Sequence, residues 1–183
     1  MNKYLPKMYK KNIYEVNYDK LKDNNIKCLM FDLDNTLLKV NKSIPKKETI
    51  DLIKKLKKDF TVLIISNNSG KKRLEVAANH LGIDYVRFAL KPLSIGFRKI
   101  KNKYKFEKKE MCLIGDQIMT DILGGNRYGV YTVLVDPLSK EELKVTGVNR
   151  FFEQKKVKKL EKKKLFKKGD YYEWWKVLYR MWG

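Results

Sequence analysis

The chain has 183 residues, of which 43% are hydrophobic, and a formal net charge of +21. This length suits a single domain with a sizeable core. Since no apolar run approaches the ~18 residues of a membrane span and no signal-peptide core is present, we expect a cytoplasmic protein. The charge indicates a polyanionic partner or a compositional drift toward lysine, since only six of the 42 basic residues are arginine.

Apolar runs rich in β-branched residues alternate with helical patterns over residues 26–135. The runs predict five buried strands, at Ile26–Phe31, Thr61–Ile65, Tyr85–Phe88, Met111–Ile114 and Val130–Val135. The intervening periodicity predicts four helices, at Pro45–Phe60, Ser69–Leu81 (with Ser69 as its cap), Leu93–Tyr104 and Thr120–Tyr128. This alternation predicts an α/β fold in three α/β/α layers around a parallel sheet. The two cysteines lie within apolar runs and are expected to be buried, reduced thiols.

The C-terminal part of the chain is first basic and then aromatic. Residues 150–168 hold ten basic and two acidic side chains and predict a basic helix, which Gly169 and Asp170 end. Residues 171–183 hold all three tryptophans. We therefore expect an α/β domain over residues 1–150, and a basic helix with an aromatic tail over residues 151–183 that packs on this domain or extends from it.

Polar and charged side chains directly follow several of the predicted strands. Ligands in a parallel α/β sheet bind beyond the carboxyl ends of the strands, so these side chains are expected to converge. They are Asp32, Asp34 and Thr36, then Ser66 and Asn67, then Lys91, and finally Asp116 and Asp121. The pattern Asp-x-Asp-x-Thr offers one carboxylate as a nucleophile and a second as a proton donor, and both can bind Mg²⁺. It therefore indicates phosphoryl chemistry.

This set of motifs, in this order, resembles the haloacid dehalogenase (HAD) superfamily of phosphatases. The matching strings are Asp32-Leu33-Asp34-Asn35-Thr36-Leu37, Ser66-Asn67-Asn68, Lys91-Pro92 and Gly115-Asp116-Gln117 through Arg127. Within the superfamily the chain is similar to the YqeG-type branch of subfamily IIIA, which in turn looks similar to phosphatidylglycerophosphate phosphatases. The resemblance covers roughly residues 4–170. It implies a HAD-like Rossmannoid fold and Mg²⁺-dependent hydrolysis of phosphate monoesters.

The resemblance also implies catalytic roles for the matching residues. Asp32 would form an aspartyl-phosphate, and Asp34 would protonate the leaving oxygen and then activate water. Ser66 and Lys91 would hold the phosphoryl oxygens of the substrate. Thr36 would orient the loop through its hydroxyl.

The expected metal ligands overlap with these catalytic residues. They are Asp32, the backbone carbonyl of Asp34 and Asp116, with Asp121 in support. Asn67 would contact the substrate or only shape its turn. Two other interpretations stay open: the first two acids alone would also suit a calcium-binding loop or helix caps, and Asp121 alone could cap the helix that follows it.

The intervals between the motifs are too short for a cap domain. Residues 37–65 and 67–90 each have room for one helix and one strand. HAD enzymes that act on small metabolites usually insert a cap domain here, so the expected site is open and suits a phosphate on a large substrate. A lipid such as phosphatidylglycerophosphate fits, with residues 150–168 and the aromatic tail in peripheral contact with the inner face of an anionic membrane. Ordinary packing of the tail on the domain is the alternative.

The charge also supports a hypothesis from a different class. A basic protein that binds RNA or ribosomal particles, with secondary phosphatase activity, would use the same lysines. The chain contains no recognised RNA-binding motif, which weakens this alternative. A catalytically inactive scaffold is disfavoured by the complete set of acids, serine and lysine. The sequence does not indicate the oligomeric state.

Overall fold

Seven strands form one sheet in the computed structural model, which describes residues 2–67, 70–139 and 147–173. The strands are β1 (Met8–Lys10), β2 (Cys28–Phe31), β3 (Thr61–Ile65), β4 (Asp84–Val86), β5 (Met111–Gly115), β6 (Tyr131–Val135) and β7 (Tyr172–Glu173). Their order is β4-β3-β2-β5-β6-β1-β7, and all neighbouring pairs are parallel except β1 and β7. The predicted α/β fold with a parallel sheet is thus confirmed, with one antiparallel strand added at an edge.

Helices cover both faces of this sheet. They are α1 (Tyr18–Asp23), α2 (Lys47–Leu56), α3 (Lys71–Leu81), α4 (Ile95–Tyr104), α5 (Leu123–Tyr128) and α6 (Gly147–Lys162), and a π-helical turn, Ile118–Ile122, leads into α5. On β2, Leu29 and Phe31 pack in the core under α1, α2 and α3, whereas Cys28 and Met30 pack in the core under α4 and α5. Successive strand residues point to opposite faces, so a central strand that is covered on both faces must be apolar throughout.

The five predicted strands and four predicted helices are all present, with ends that differ by a few residues. Among the described strands and α-helices, three were not predicted: β1, α1 and β7. β1 is a three-residue strand that ends in a lysine, and β7 has only two residues, so neither produces an apolar run. Both cysteines are free and buried, as predicted. The predicted cap at Ser69 lies outside the described residues.

Helix α6 crosses the predicted boundary at residue 150 and ends earlier than the predicted basic helix. Leu160, within α6, and Phe166, after it, are buried with Tyr9, Ile118 and Leu134. Up to Glu173, the second segment therefore packs on the first, and the division at residue 150 stays a prediction. Residues 174–183, which include the tryptophans, lie outside the described part of the chain. Among the described helices, none has the length and apolar character needed to cross a bilayer.

Candidate active site

The carboxyl ends of β2 and β5 bring two of the predicted acids together. These strands pair in parallel, with Phe31 opposite Ile114, and the ladder continues from the Asp32 N–H to the Ile114 carbonyl at 2.9 Å. Asp32 follows β2 directly, and Asp116 follows Gly115 at the end of the neighbouring β5. Both carboxylates are buried. The parallel register of the two central strands therefore builds the first half of the site.

Lys91 enters the same site from the segment after β4. Its Nζ donates to Asp32 Oδ1 at 2.5 Å, to Asp121 Oδ1 at 2.6 Å and to the Ile65 carbonyl oxygen at 3.1 Å. Its side chain is only 2% exposed. The sequence distinguishes Lys91 from the other lysines only by its place after a strand and before Pro92, and the structure brings it together with two of the predicted acids.

Burial and charge together set the protonation of this cluster. Burial raises the pKa of Asp32, the Lys91 ammonium opposes this shift, and Asp121 adds to it, so that the pKa reaches about 7. Burial disfavours the charged form of Lys91, but the carboxylates of Asp121 and Asp32 outweigh it and raise the Lys91 pKa above its usual value. Lys91 is therefore an ammonium at neutral pH and favours the ionised form of Asp32.

Three buried carboxylates form a group that suits a metal ion. Asp32, Asp116 and Asp121 each offer one oxygen, and these oxygens lie within 4.8 Å of one another. When all are ionised, the three carboxylates and the Lys91 ammonium carry two excess negative charges, which are costly to bury. Mg²⁺ prefers oxygen ligands and would balance this charge. The donor set and its charge therefore fit Mg²⁺.

Asp121 accepts hydrogen bonds through both carboxylate oxygens, and neither of these bonds caps the helix that follows it, so its support of the metal stays a prediction. While Oδ1 accepts from Lys91, Oδ2 accepts a hydrogen bond from the Gln117 N–H at 3.1 Å, at the start of the π-helical turn. The carboxylate lies so close to the end of β5 that a Cβ added at Gly115 would overlap with it. Position 115 must therefore be glycine, because the Asp121 carboxylate approaches it closely.

Asp34 is not one of the three clustered carboxylates, and it forms an ion pair with Arg73. Arg73 Nη1 donates to Asp34 Oδ1, Nε donates to the Lys42 carbonyl at 2.7 Å, and Nη2 donates to the Lys39 carbonyl at 2.9 Å. One guanidinium thus joins α3 to the loop after β2. The predicted metal contact of the Asp34 backbone carbonyl stays a prediction. The sequence did not reveal Arg73, because nothing in it indicates that the first turn of α3 faces this loop.

The turn between Asp34 and α2 is held by Asn35 rather than by Thr36. Asn35 has a left-handed φ of 62°, which asparagine tolerates, and its Oδ1 accepts from the Ser139 hydroxyl at 3.0 Å. The Thr36 hydroxyl is buried and has no hydrogen-bond partner among the described residues. Among the described residues, the Thr36 hydroxyl therefore does not make the hydrogen bond that was expected to orient the loop.

Ser66 and Asn67 connect β3 to the segment that carries Lys91. Ser66 is buried, and its backbone N–H donates to the Val86 carbonyl at 2.9 Å. The Ser66 carbonyl accepts from the Ala89 N–H at 3.0 Å. Asn67 Nδ2 donates to the Lys91 carbonyl at 2.8 Å, and its Oδ1 accepts from the Lys91 N–H at 2.7 Å. Both polar atoms of the Asn67 side chain thus fix the Lys91 backbone, which supports the turn-shaping role. A contact with substrate stays a prediction for both residues.

Glu153 on α6 is a further residue at the site that sequence reasoning did not find. Its two carboxylate oxygens accept from the Ile118 N–H at 2.6 Å and the Met119 N–H at 2.8 Å, at the start of the π-helical turn that contains Asp121. A carboxylate at this position satisfies amides that the turn leaves unpaired and interacts favourably with the helix dipole. This contact connects the basic helix α6 with the segment between Asp116 and Asp121, which follows β5.

A cavity of about 260 Å³ opens beside Asp116. It lies between the end of β6 and α6, with Leu134, Val157 and Phe166 among its apolar walls and Lys158 at its border. Of the three clustered carboxylates, Asp116 lines this cavity, together with the acidic side chains of Asp136, Glu153 and Glu161.

A parallel sheet that gathers buried acids and one buried lysine at the carboxyl ends of its central strands is the arrangement of a HAD-like hydrolase. Two solved structures support this class of fold. An uncharacterized protein from Listeria monocytogenes serotype 4b superposes with a TM-score of 0.54 at 17% identity, over 72% of this chain and 100% of that one. A haloacid dehalogenase-like hydrolase from Xanthomonas campestris superposes with a TM-score of 0.52 at 8% identity, over 74% of this chain and 95% of that one. At these identities the likeness shows the fold alone.

Comparison of the sequences identifies the family. Residues 1–139 match the family model described as mitochondrial PGP phosphatase. The chain is 32% identical over 160 residues to the probable phosphatase YqeG of Bacillus subtilis (strain 168), covering 87% of this chain and 93% of that protein. It is 26% identical over 147 residues to the chloroplastic/mitochondrial phosphatidylglycerophosphate phosphatase 1 of Arabidopsis thaliana, covering 75% of this chain and 42% of that protein. The chain therefore belongs to the PGP phosphatase family and is a HAD-type phosphatase.

Proposed function

We propose that the protein is a Mg²⁺-dependent phosphomonoesterase that works through an aspartyl-phosphate on Asp32. The observation that carries this proposal is the buried group of Asp32, Asp116 and Asp121 around the Lys91 ammonium, at the carboxyl ends of the central strands. Asp32, Asp116 and Asp121 would hold the metal, which would neutralise the repulsion between the phosphate dianion and the attacking carboxylate.

In the first step, a carboxylate oxygen of Asp32 attacks phosphorus, and the bond from phosphorus to the ester oxygen breaks. Asp34 gives its proton to the leaving alkoxide, which departs as an alcohol. The Arg73 guanidinium, which pairs with the Asp34 carboxylate and contacts the loop after β2, would hold that carboxylate in place for the second step, in which it accepts a proton. Lys91 and Ser66 would hold the phosphoryl oxygens.

In the second step, water attacks the phosphorus of the aspartyl-phosphate while the Asp34 carboxylate accepts a proton from it. The bond from phosphorus to the Asp32 oxygen breaks, which regenerates the Asp32 carboxylate and releases inorganic phosphate. The Asp34 proton is then available for the next cycle. Two separate acids are required because the first is esterified during this step.

The substrate that we propose is a membrane lipid such as phosphatidylglycerophosphate. Between Thr36 and Ser66 the described residues contain only α2 and β3 as regular elements, and between Ser66 and Lys91 only α3 and β4. A site without a cap domain is open to a phosphate presented at a surface. The family of the chain and the cavity beside Asp116 support a lipid substrate. The basic helix α6 supports peripheral contact with an anionic membrane.

A panel of phosphate monoesters tests this function. It should contain phosphatidylglycerophosphate in vesicles, glycerol 3-phosphate, a nucleotide, a phosphopeptide and an aryl phosphate, each with Mg²⁺ and with a chelator. We expect Mg²⁺-dependent phosphate release from the lipid to exceed that from the other natural monoesters, and Asp32→Asn to abolish it. If the nucleotide or phosphopeptide is preferred, the lipid assignment is wrong. RNA binding without phosphate release from any monoester would favour the alternative function.

A further inference from the structure

We infer that the catalytic edge of the sheet itself docks on the surface of an anionic phospholipid bilayer, through four exposed apolar side chains that surround the site. These are Ile44, Phe88, Leu90 and Leu93, here called the apolar rim, and they are between 43% and 62% exposed. The inference rests on the proposed lipid phosphatase function, and it names the surface that would present the site to its substrate.

The topology places the whole apolar rim around the site. Ile44 lies in the segment between β2 and α2, which begins with Asp32, and the other three lie in the segment between β4 and α4, which carries Lys91. Both segments leave the carboxyl ends of parallel strands. Among the described residues, none of the exposed large apolar side chains lies in the segments that enter the amino ends of β2, β3, β5 and β6. Of the nine exposed large apolar side chains among the described residues, four therefore lie in the two segments at the catalytic edge, and three others lie on or after α6.

The backbone of the β4–α4 segment is held in an uncommon conformation. Phe88 and Leu90 have left-handed φ values of 50° and 51°, which are outliers for bulky residues. Ala89, between them, is fully buried, and a Cβ added at Gly96 would overlap with it. Two strained residues thus direct large apolar side chains outward while the residue between them anchors the segment. Strain of this kind is concentrated at functional sites.

The charge around the apolar rim favours an anionic bilayer over a protein as its partner. Ile44 lies between Lys42 and Lys46, all of them exposed, and Arg87 lies over the ring of Phe88 at 5.0 Å. Residues 35–47 and 87–94 contain no acidic residue. Lysine is depleted at the cores of protein interfaces, whereas lysines beside inserted apolar side chains strengthen binding to anionic lipid.

The depth of the nucleophile gives a reason for such docking. Asp32 is only 8% exposed and follows β2 directly, so a phosphate in a lipid headgroup must come down to the carboxyl edge of the sheet, which the segments that carry the apolar rim border. If these side chains insert below the headgroups, the site is brought to the depth of the phosphate. If the protein bound only through α6, on its flank, the catalytic edge would not be fixed against the bilayer.

A dye that reports the polarity of its surroundings tests the orientation directly. The variant Leu93→Cys, labelled with a solvatochromic dye, should show a blue shift with vesicles that contain phosphatidylglycerol and little shift with phosphatidylcholine vesicles. Lys58→Cys is the matched control, because Lys58 is exposed in the segment that enters the amino end of β3. Both native cysteines are buried, so labelling should be confined to the new thiol.

A second measurement connects docking with turnover. In the double variant Ile44→Ser/Leu93→Ser, the ratio of phosphate release from vesicle-borne phosphatidylglycerophosphate to release from a soluble aryl phosphate should fall at least tenfold. The control Leu165→Ser removes an exposed apolar side chain after α6 and should leave this ratio unchanged.

The outcomes separate the docking inference from the proposed function. Failure to hydrolyse any phosphate monoester would contradict the function, and the dye would still report whether the edge meets the bilayer. An active enzyme that binds vesicles without a blue shift at position 93, or that does not bind them at all, would overturn the docking inference alone.

Discussion

The contact between Glu153 and the π-helical turn leads to a specific prediction about stability and metal binding. The variant Glu153→Ala removes the carboxylate that accepts from the Ile118 and Met119 N–H groups and leaves the helix propensity of α6 intact. A hydrogen bond to a charged group contributes about 1.5–3 kcal/mol, and the lower value applies because Glu153 is partly exposed. Two such bonds give a loss of about 3 kcal/mol.

This loss can be measured by thermal unfolding. For a chain of this size, each kcal/mol lowers Tm by about 2–4 °C, so we expect a decrease of about 6–12 °C. Because the same turn carries Asp121, the Mg²⁺ concentration for half-maximal hydrolysis of an aryl phosphate should also rise. The control is Glu161→Ala, which removes the same charge from α6 but only one exposed hydrogen bond, from the Lys168 N–H. A Tm for Glu153→Ala within about 2 °C of that of the control would refute the reasoning.

Three further substitutions test other contacts of the site. Gly115→Ala should displace the Asp121 carboxylate, with which its Cβ overlaps, and should weaken activation by Mg²⁺ at least tenfold in a metal titration. Arg73→Met should lower kcat for an aryl phosphate by about 10–100-fold, since it frees the proposed acid–base residue Asp34, and it should also lower Tm, since it removes three hydrogen bonds of a charged group, whereas Arg127→Met, at an exposed arginine, should leave kcat unchanged. Thr36→Val should keep or raise Tm, because the buried hydroxyl has no partner among the described residues, and a decrease above about 5 °C would show that it makes a hydrogen bond.

The sequence predicted the central part of the fold because that part follows from local patterns. β2, β3, β5 and β6 are continuous apolar runs, and a sheet covered on both faces requires such runs. β1 and β7 were not predicted because they are short and are stabilised by pairing with strands that are distant in the chain, β1 with β6 and β7 with β1. A strand of two or three residues is too short to show an alternating pattern, and its pairing with a strand that is distant in the sequence leaves no local signal.

The acids and the lysine of the site were predictable for a similar reason. Each directly follows a strand or lies in the segment after one, and parallel strands end at one edge, so Asp32, Lys91, Asp116 and Asp121 converge once the strands are known. The contacts that hold these residues in place could not be predicted. Arg73 and Glu153 lie on helices, and their side chains reach the site only because of how those helices pack.

The central claim is that Asp32 carries the phosphoryl group during turnover, and one trapping measurement tests it most directly. The protein, mixed with Mg²⁺ and a phosphate monoester carrying radiolabelled phosphorus, is quenched in acid within a single turnover, and the label on the denatured protein is counted. We predict label on the wild-type protein, located by proteolysis in the fragment that contains Asp32, and none on Asp32→Asn. Equal labelling of both proteins, or turnover by Asp32→Asn at the wild-type rate, would contradict the claim.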